Sequence, residues 1–147
     1  MRPQISPMLL NDAPDVAQLA SQLGYPVKPE EVVANFQFIR DNSSQEVFVA
    51  RTEIMGPAIG WLHAFVHFSV ATGPRCEIGG VVVDESFRGR GVGTQLMLAA
   101  EAWAKSKNLA GIRFSSRTSR TDAHRLYERL GYQIQKTSHV FGKQLLS

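Results

Sequence analysis

The sequence predicts an α/β domain built on a mixed central β-sheet. Helical and strand-like hydrophobic patterns alternate along the chain in the order ααββββαβαββ, or close to it. An apolar run at 81–83 passes through a glycine-rich turn into apolar residues at helical spacing, which is typical of a strand followed by a helix. The 147 residues, 44% of them hydrophobic, suit a single domain over 1–147 with a core of its own.

The first half of the chain is predicted to hold two helices and a run of strands, three of which can be placed on the sequence. Asn11 or Asp12 can cap the first helix, which Gly24 ends, because polar caps and glycine stops are the usual helix boundaries. The second helix begins near Pro29. The strands are expected at 47–50, at 58–62 with an extension through Phe65 or Phe68, and at 76–83, the first two joined through 55–57 as a hairpin.

The second half is predicted to alternate helices with strands. Gly131 ends the last helix, and the apolar stretches after it indicate two closing strands. The predicted elements are a helix at 92–107, a strand at 111–115, a helix at 122–130 and strands at 132–134 and 139–146.

Composition excludes several classes of protein. The net charge of +3 is too small for the dense basic stripe that nucleic-acid binding usually needs. Cys76 is the only cysteine and the four histidines lack metal-ligand spacing, so no disulfide framework and no metal are expected. No run of 18 apolar residues and no signal-peptide pattern is present. We therefore expect a cytoplasmic protein with no membrane or nucleic-acid partner, and a homodimer stays open.

The glycine-rich turn at 88–94 is the strongest functional signal. Exposed N–H groups at the start of a helix, without Cβ atoms in the way, bind phosphate oxygens, and two arginines add positive charge. An ordinary glycine turn or an arginine–glycine RNA contact are the alternatives. The pattern therefore predicts a pyrophosphate site formed by Arg88, Gly89, Arg90, Gly91, Val92, Gly93 and Thr94.

Two motifs in order give the chain a family resemblance. Residues 77–93 include an Arg-x-x-Gly-x-Gly turn after a strand, and residues 123–132 read Ala-x-x-Leu-Tyr-x-x-x-Gly-Tyr. With these motifs the chain resembles the Gcn5-related N-acetyltransferase (GNAT) superfamily. The resemblance implies a sheet splayed at its fourth strand. It also implies acetyl-CoA as co-substrate, with direct transfer of the acetyl group to a primary amine of a small molecule or protein.

The resemblance also implies how the coenzyme is held. The pyrophosphate would lie at 88–94, and main-chain groups of the preceding strand would contact the pantetheine arm. Gly79 and Gly80 are then a plausible bulge, although they could merely leave room for an opposite side chain. Arg120 stands where the family often has an asparagine, which puts that contact in doubt. Further coenzyme contacts are expected at Val81, Val82, Val83, Arg120 and His124, and Arg125 could reach the 3′-phosphate or simply face solvent.

Two residues match the family's acid–base positions. Glu77 lies where one branch of the family has its catalytic glutamate, so it could take the proton of the attacking ammonium; the alternative is a solvated carboxylate. Tyr127 matches the tyrosine that protonates the departing thiolate, because a phenol stays protonated at neutral pH; it could equally be a packing aromatic, and both can hold. His63 and His67 share a strand face that could line the acceptor cleft, although ordinary surface or packing histidines are favoured.

The acceptor is left open by the sequence. The elements that shape it carry many aromatic side chains and few carboxylates, which disfavours a strongly polycationic acceptor such as an aminoglycoside. A non-catalytic acyl-CoA-binding module of the same fold is the alternative function, and RNA binding ranks behind it. The aromatic residues are Tyr25, Phe36, Trp61, Phe65, Phe68 and Phe141.

Overall fold

The computed structural model describes residues 2–147, which form two compact units. The first extends through Ser115, and the second covers Ser116–Ser147. No helix in this described range is long and apolar enough to cross a bilayer.

The first unit contains a mixed five-stranded sheet with three helices. The strands are ordered β1-β2-β3-β4-β5; the first four pair antiparallel, and β5 runs parallel to β4. This confirms the predicted fold class. The strands are β1 (Gln4–Pro7), β2 (Gln45–Arg51), β3 (Gly60–Ser69), β4 (Gly73–Val83) and β5 (Ile112–Arg113), and the helices are α1 (Ala13–Leu23), α2 (Pro29–Arg40) and α3 (Val92–Ser106).

The boundaries of α1 follow the sequence rules. Asp12 occupies the N-cap position, and Gly24 ends the helix with a φ of 98°, a conformation that favours glycine. The Asp12 side chain does not bond to the helix itself. Its Oδ2 accepts a hydrogen bond from the Leu9 N–H at 2.8 Å and another from Arg51 at 2.6 Å, so this buried carboxylate ties the start of α1 to the end of β2.

The helices of the first unit cover both faces of the sheet. A Cβ built at Gly60 would lie 3.3 Å from Leu96 and 3.5 Å from Val92, so α3 packs closely on that face. One built at Gly80 would lie 2.9 Å from Trp61 and 3.9 Å from Leu23, which places the end of α1 on the opposite face. Strands β3 and β4 therefore lie between α3 on one face of the sheet and α1 on the other.

The second unit is built around one helix, α4 (Thr121–Arg129). The two closing strands predicted at 132–134 and 139–146 are wrong, since none of residues 132–147 is in a strand. Their apolar residues are suitable for a strand, but a strand also needs a partner for its backbone groups, and propensity alone does not supply one.

Several strand boundaries also differ from the prediction. β1 was missed, because four residues before a helix carry too little alternation to indicate a strand. β3 begins at Gly60 and runs to Ser69, the longer of the expected extensions, and β5 has only two residues.

Candidate active site

The sheet opens between β4 and β5. The two strands pair only at Cys76 with Ile112 and at Glu77 with Arg113, whereas β4 continues to Val83. The predicted splay at the fourth strand is therefore confirmed. Beyond Glu77, one edge of β4 has no strand beside it among residues 2–147.

The register of β3 and β4 decides which backbone groups face this opening. The Asp84 N–H donates to the Ile59 carbonyl at 2.8 Å, and hydrogen-bonded pairs alternate along an antiparallel ladder. The same alternation turns the backbone groups of Val82 toward Trp61 on β3. It turns those of Val81 and Val83 outward, toward the opening.

A β-bulge interrupts β4 where the glycines stand. His63 pairs with Gly80 and Ala64 pairs with Ile78, so Gly79 is the extra residue. A Cβ at Gly79 would lie 3.1 Å from His63 Nδ1, and one at Gly80 would lie 2.9 Å from the Trp61 ring. The predicted bulge is confirmed, and the glycines also leave room for two side chains of β3.

The glycine turn leads directly into α3. Gly89 and Gly91 have φ values of 77° and 83°, and a Cβ on either would have no atom within 4 Å. Gly91 is the N-cap of α3, so the N–H groups of the first turn, from Val92 onward, lack helical carbonyl partners. An open surface of backbone donors at the positive end of a helix dipole fits the diphosphate of a coenzyme.

The two arginines of the turn are anchored differently. Arg88 Nε donates to the Val83 carbonyl at 3.1 Å, which fixes the turn against the last residue of β4. The Arg90 guanidinium lies 5.5 Å from the centre of the Phe87 ring and is exposed. Both charges border the start of α3, where a diphosphate would lie.

Glu77 lies on a half-buried face of the sheet with a counter-ion. Its Oε1 accepts a hydrogen bond from Arg75 at 3.2 Å, and 27% of the Glu77 side chain is exposed. Glu77 is paired with Phe65 on β3, so these side chains point to the same face. The carboxylate is accessible, and Arg75 offsets part of its charge.

The same face of β3 carries His63. Its Nε2 is 2.8 Å from Oε1 of Gln45, and its ring is tilted against Phe65 with the ring centres 5.5 Å apart. Burial lowers the pKa of His63, so the ring is neutral at neutral pH.

Cys76 points away from this face. Burial, with a smaller contribution from Glu77, raises the pKa of its thiol to about 11. The thiolate is the nucleophilic form of cysteine, so this fully buried thiol is unreactive at neutral pH.

Within the second unit, α4 carries the remaining predicted residues. Burial raises the pKa of Tyr127 above its ordinary value, and Arg120 lowers it by a smaller amount. The Tyr127 ring meets Tyr132 edge to face at 6.5 Å. Because the pKa of Tyr127 is raised, its phenol is protonated at neutral pH. On the same helix, His124 Nε2 lies 3.2 Å from the Ser116 hydroxyl.

Arg125 has a partner on its own helix. It lies 3.5 Å from Asp122, with 74% and 98% of the two side chains exposed. An exposed pair of this kind contributes little to stability and leaves the arginine able to exchange partners.

The sequence model of the acetyltransferase (GNAT) family matches residues 13–132. The chain belongs to that family. Membership confirms the predicted family and the acetyltransferase class, and the match runs through the glycine turn and through α4.

Solved structures show that this acetyltransferase shares its fold with known relatives. The aminoglycoside N-acetyltransferase AAC(6′)-Iy, solved with a CoA-linked acetylneamine bisubstrate analogue, superposes with a TM-score of 0.84 at 22% identity, covering 99% of this chain and all of that one (100%). Glucosamine-6-phosphate N-acetyltransferase from Arabidopsis thaliana gives 0.83 at 19% identity, covering 98% and 100%.

A curated relative is similar over a shorter stretch. The streptothricin acetyltransferase of Escherichia coli is 37% identical over 54 residues, which is 37% of this chain and 31% of the relative. The chain therefore matches about a third of that protein's length.

Two residues of the candidate site were missed by sequence reasoning. Arg75 lies two residues before Glu77, and the twofold periodicity of a strand could have placed both on one face. Gln45 lies on another strand, and only the register of β2 against β3 brings it to His63.

Proposed function

We propose that the chain transfers the acetyl group of acetyl-CoA directly to a primary amine of a small molecule. The observation that carries the proposal is the free edge of β4, which leads into an open glycine turn at the start of α3. A strand edge offers donors and acceptors to an amide-containing chain, and the turn offers donors to a diphosphate. Coenzyme A has both parts in that order.

The proposed coenzyme contacts follow from the backbone. Val81 and Val83 present outward groups to the pantetheine arm, and Val82 holds the strand to β3. The diphosphate binds at Arg88, Gly89, Arg90, Gly91, Val92, Gly93 and Thr94. The family resemblance alone adds Arg120 and His124 to the proposed coenzyme contacts. The family match at 13–132 spans both units, which supports one catalytic domain over 1–147.

Glu77 and Tyr127 are the proposed acid–base pair. An alkylammonium has a pKa of about 10.4, so it must lose a proton before it can attack the thioester. The Glu77 carboxylate attracts the ammonium and takes the proton or orders the water that does so. Tyr127, kept protonated by burial, gives a proton to the departing thiolate.

The acceptor we propose is a small amine with an apolar part and low positive charge. The face of β3 beside Glu77 carries Trp61 and Phe65, and Arg75 offsets the one carboxylate there. Asp12 and Asp15 of the α1 region are already engaged, Asp12 by Arg51 and Asp15 by the Ala58 N–H at 3.0 Å. A polycation would find the carboxylates of Asp12, Asp15 and Glu77 already engaged.

An acceptor panel tests this function. Purified protein is mixed with acetyl-CoA and arylalkyl amines, aliphatic diamines, an aminoglycoside or a lysine peptide, and thiol release is followed. We expect the highest kcat/KM with amines that carry one positive charge and an apolar group. Coenzyme binding without thiol release in any mixture would favour the non-catalytic acyl-CoA-binding alternative.

The Glu77→Gln variant should lose activity in a pH-dependent way. The change keeps the shape and removes the carboxylate charge that attracts the ammonium and assists the loss of its proton, so the rate deficit should be largest near pH 7. It should shrink as the pH nears the acceptor's own pKa, about 10, because the free amine then needs less help. The measurement is kcat/KM for the acceptor from pH 7 to 10.

Glu46→Gln is the matched control for this variant. Glu46 is paired with Ala64, which places it on the opposite face of the same sheet, and its substitution should leave the pH profile unchanged. A Glu77→Gln deficit that stays constant up to pH 10 would indicate plain substrate positioning instead of a part in the proton transfer.

We also propose that the chain forms a homodimer through its C-terminal residues. Ile134, Val140, Phe141, Leu145 and Leu146 are 72% to 94% exposed. Two copies together offer ten such apolar side chains. At about 100 Å² of apolar surface each, they could bury roughly 1,000 Å². That area is near the lower bound of about 1,000 Å² for a specific interface.

Light scattering of the full chain tests the homodimer. We expect a dimer at micromolar concentration and a shift to monomer on Phe141→Ser with Leu145→Ser. Exposed Phe38 of α2 offers the control Phe38→Ser, which should stay dimeric. A monomeric wild-type chain would contradict the proposal.

A cytoplasmic location is the last part of the proposal. Its support is the single buried, unreactive thiol of Cys76, because the chain carries no second cysteine that would need an oxidising compartment. Cell fractionation of the tagged chain tests it.

A further inference from the structure

His63 is held in one chemical form by its neighbours. An amide oxygen can only accept a hydrogen bond, so the 2.8 Å contact with Gln45 Oε1 requires the proton to be on Nε2. The neutral ring then has its lone pair on Nδ1. Among the described residues, Nδ1 makes no hydrogen bond.

The free nitrogen faces the gap that the bulge creates. A Cβ at Gly79 would lie 3.1 Å from Nδ1, so the glycine keeps that position open, and Gly79 itself is exposed to solvent. The bulge lies two residues beyond Glu77, where the pairing of β4 with β5 ends. With no side chain on Gly79, the position beside Nδ1 is left unfilled close to the point where this pairing ends.

The electrostatic surroundings leave the ring uncharged. The titratable groups on its face are His67 of β3 and Arg75 and Glu77 of β4, while the partner on β2 is the neutral Gln45. Burial is the cause of the lowered pKa, and no charge on α1 or α2 contributes to it. The ring is therefore a neutral proton acceptor at neutral pH.

We propose that His63 Nδ1 accepts the proton of the acceptor's ammonium group and that Gln45 is the positioning residue that fixes its tautomer. Glu77, on the same face roughly 7 Å away across a diagonal, then attracts the ammonium and orders the water near it. Arg75 Nη2 lies 3.2 Å from Glu77 Oε1, so this carboxylate already has a partner, whereas His63 Nδ1 has none among the described residues. This inference rests on the acetyl transfer proposed above.

The proton balance is complete without any further reactant. One ammonium N–H bond breaks and an Nδ1–H bond forms, after which the nitrogen lone pair attacks the thioester carbonyl carbon. The C–S bond then breaks, the sulfur receives a proton from Tyr127, and the second N–H proton of the intermediate restores Tyr127. The imidazolium releases its proton to solvent before the next turnover.

The test is the acidic limb of kcat/KM for the acceptor in three variants. Wild-type activity should rise with pH through a limb below about 6.5, since His63 must be neutral. Gln45→Glu places a carboxylate against Nε2, which stabilises the imidazolium and should move the limb upward by about one pH unit. His63→Gln should remove the limb and lower the rate at least about 100-fold. His67→Gln, on the same strand face, should leave the limb in place.

Ring ¹⁵N NMR of the wild-type and Gln45→Glu proteins supplies a readout that does not need turnover. We expect the Nε2–H tautomer at pH 7.5 and a higher pKa for His63 in Gln45→Glu. An Nδ1–H tautomer would overturn the inference. So would an acidic limb of kcat/KM that stays at the same pH in Gln45→Glu while the pKa of His63 rises. If the wild-type enzyme is active and His63→Gln keeps the same acidic limb, this inference is wrong while the proposed acetyl transfer stands. Absence of transfer to any amine would instead remove the proposed function, and this inference with it.

Discussion

Replacing Gly91 with glutamate should weaken acetyl-CoA binding by at least about 100-fold. The substitution puts a carboxylate at the N-cap of α3, where the diphosphate is proposed to bind. Two like charges about 4 Å apart near a protein surface repel by about 4 kcal/mol, which exceeds the roughly 2.7 kcal/mol of a 100-fold change. Isothermal titration calorimetry with acetyl-CoA measures the effect.

Gly73→Glu separates this charge effect from backbone strain. Gly73 also has a positive φ, 73° against 83° for Gly91, and a Cβ added there would have no atom within 4 Å. Both variants should therefore lose a similar stability, about 1–2 kcal/mol for a left-handed non-glycine residue. Only Gly91→Glu should lose the coenzyme. Equal affinity in the two variants would contradict the assignment of the diphosphate to this turn.

The glycine turn was predictable because its rules are local. A strand, three glycines and a helix start are read from adjacent residues, and the positive φ values of Gly89 and Gly91 are conformations that glycine adopts readily. The same holds for α1, whose N-cap at Asp12 and stop at Gly24 were expected. Local backbone chemistry therefore placed the proposed coenzyme site.

The strands show where local rules stop. Val140 and Phe141 have the composition of a strand, yet they are 94% and 93% exposed and lie outside any strand. Gln4–Pro7 is a strand because β2 pairs with it, not because its four residues alternate clearly. Pairing partners that are distant in sequence decide both cases.

The residues of the candidate site also fall into two groups, those predictable from adjacent residues and those that depend on distant strands. Glu77 and Gly79 were singled out from one continuous motif, whereas the environment of His63 depends on Gln45, 18 residues earlier. Cross-strand register creates that contact, and one sequence without its sheet topology does not reveal it. The contacts of the proposed proton acceptor were thus the hardest part of the candidate site to predict.

Replacing Tyr127 with phenylalanine should lower kcat by roughly 10²–10⁴-fold while leaving the affinity for acetyl-CoA nearly unchanged. Phenylalanine keeps the ring that packs edge to face on Tyr132 and removes only the hydroxyl. Since burial raises the pKa of Tyr127 above its ordinary value of about 10, the wild-type phenol is protonated at every pH below that value. The wild-type kcat should accordingly fall only as the pH rises above about 10.

Tyr132→Phe is the matched control, because it removes a hydroxyl from the other ring of the same contact. We expect its kcat to stay within about tenfold of wild type, since a lost hydroxyl that donates no proton in the transition state costs about one hydrogen bond. Single-turnover kinetics with calorimetric coenzyme affinities separates the chemical step from binding. If Tyr127→Phe turns over at the wild-type rate, the thiolate takes its proton from water or another group, and the tyrosine is a packing residue of α4.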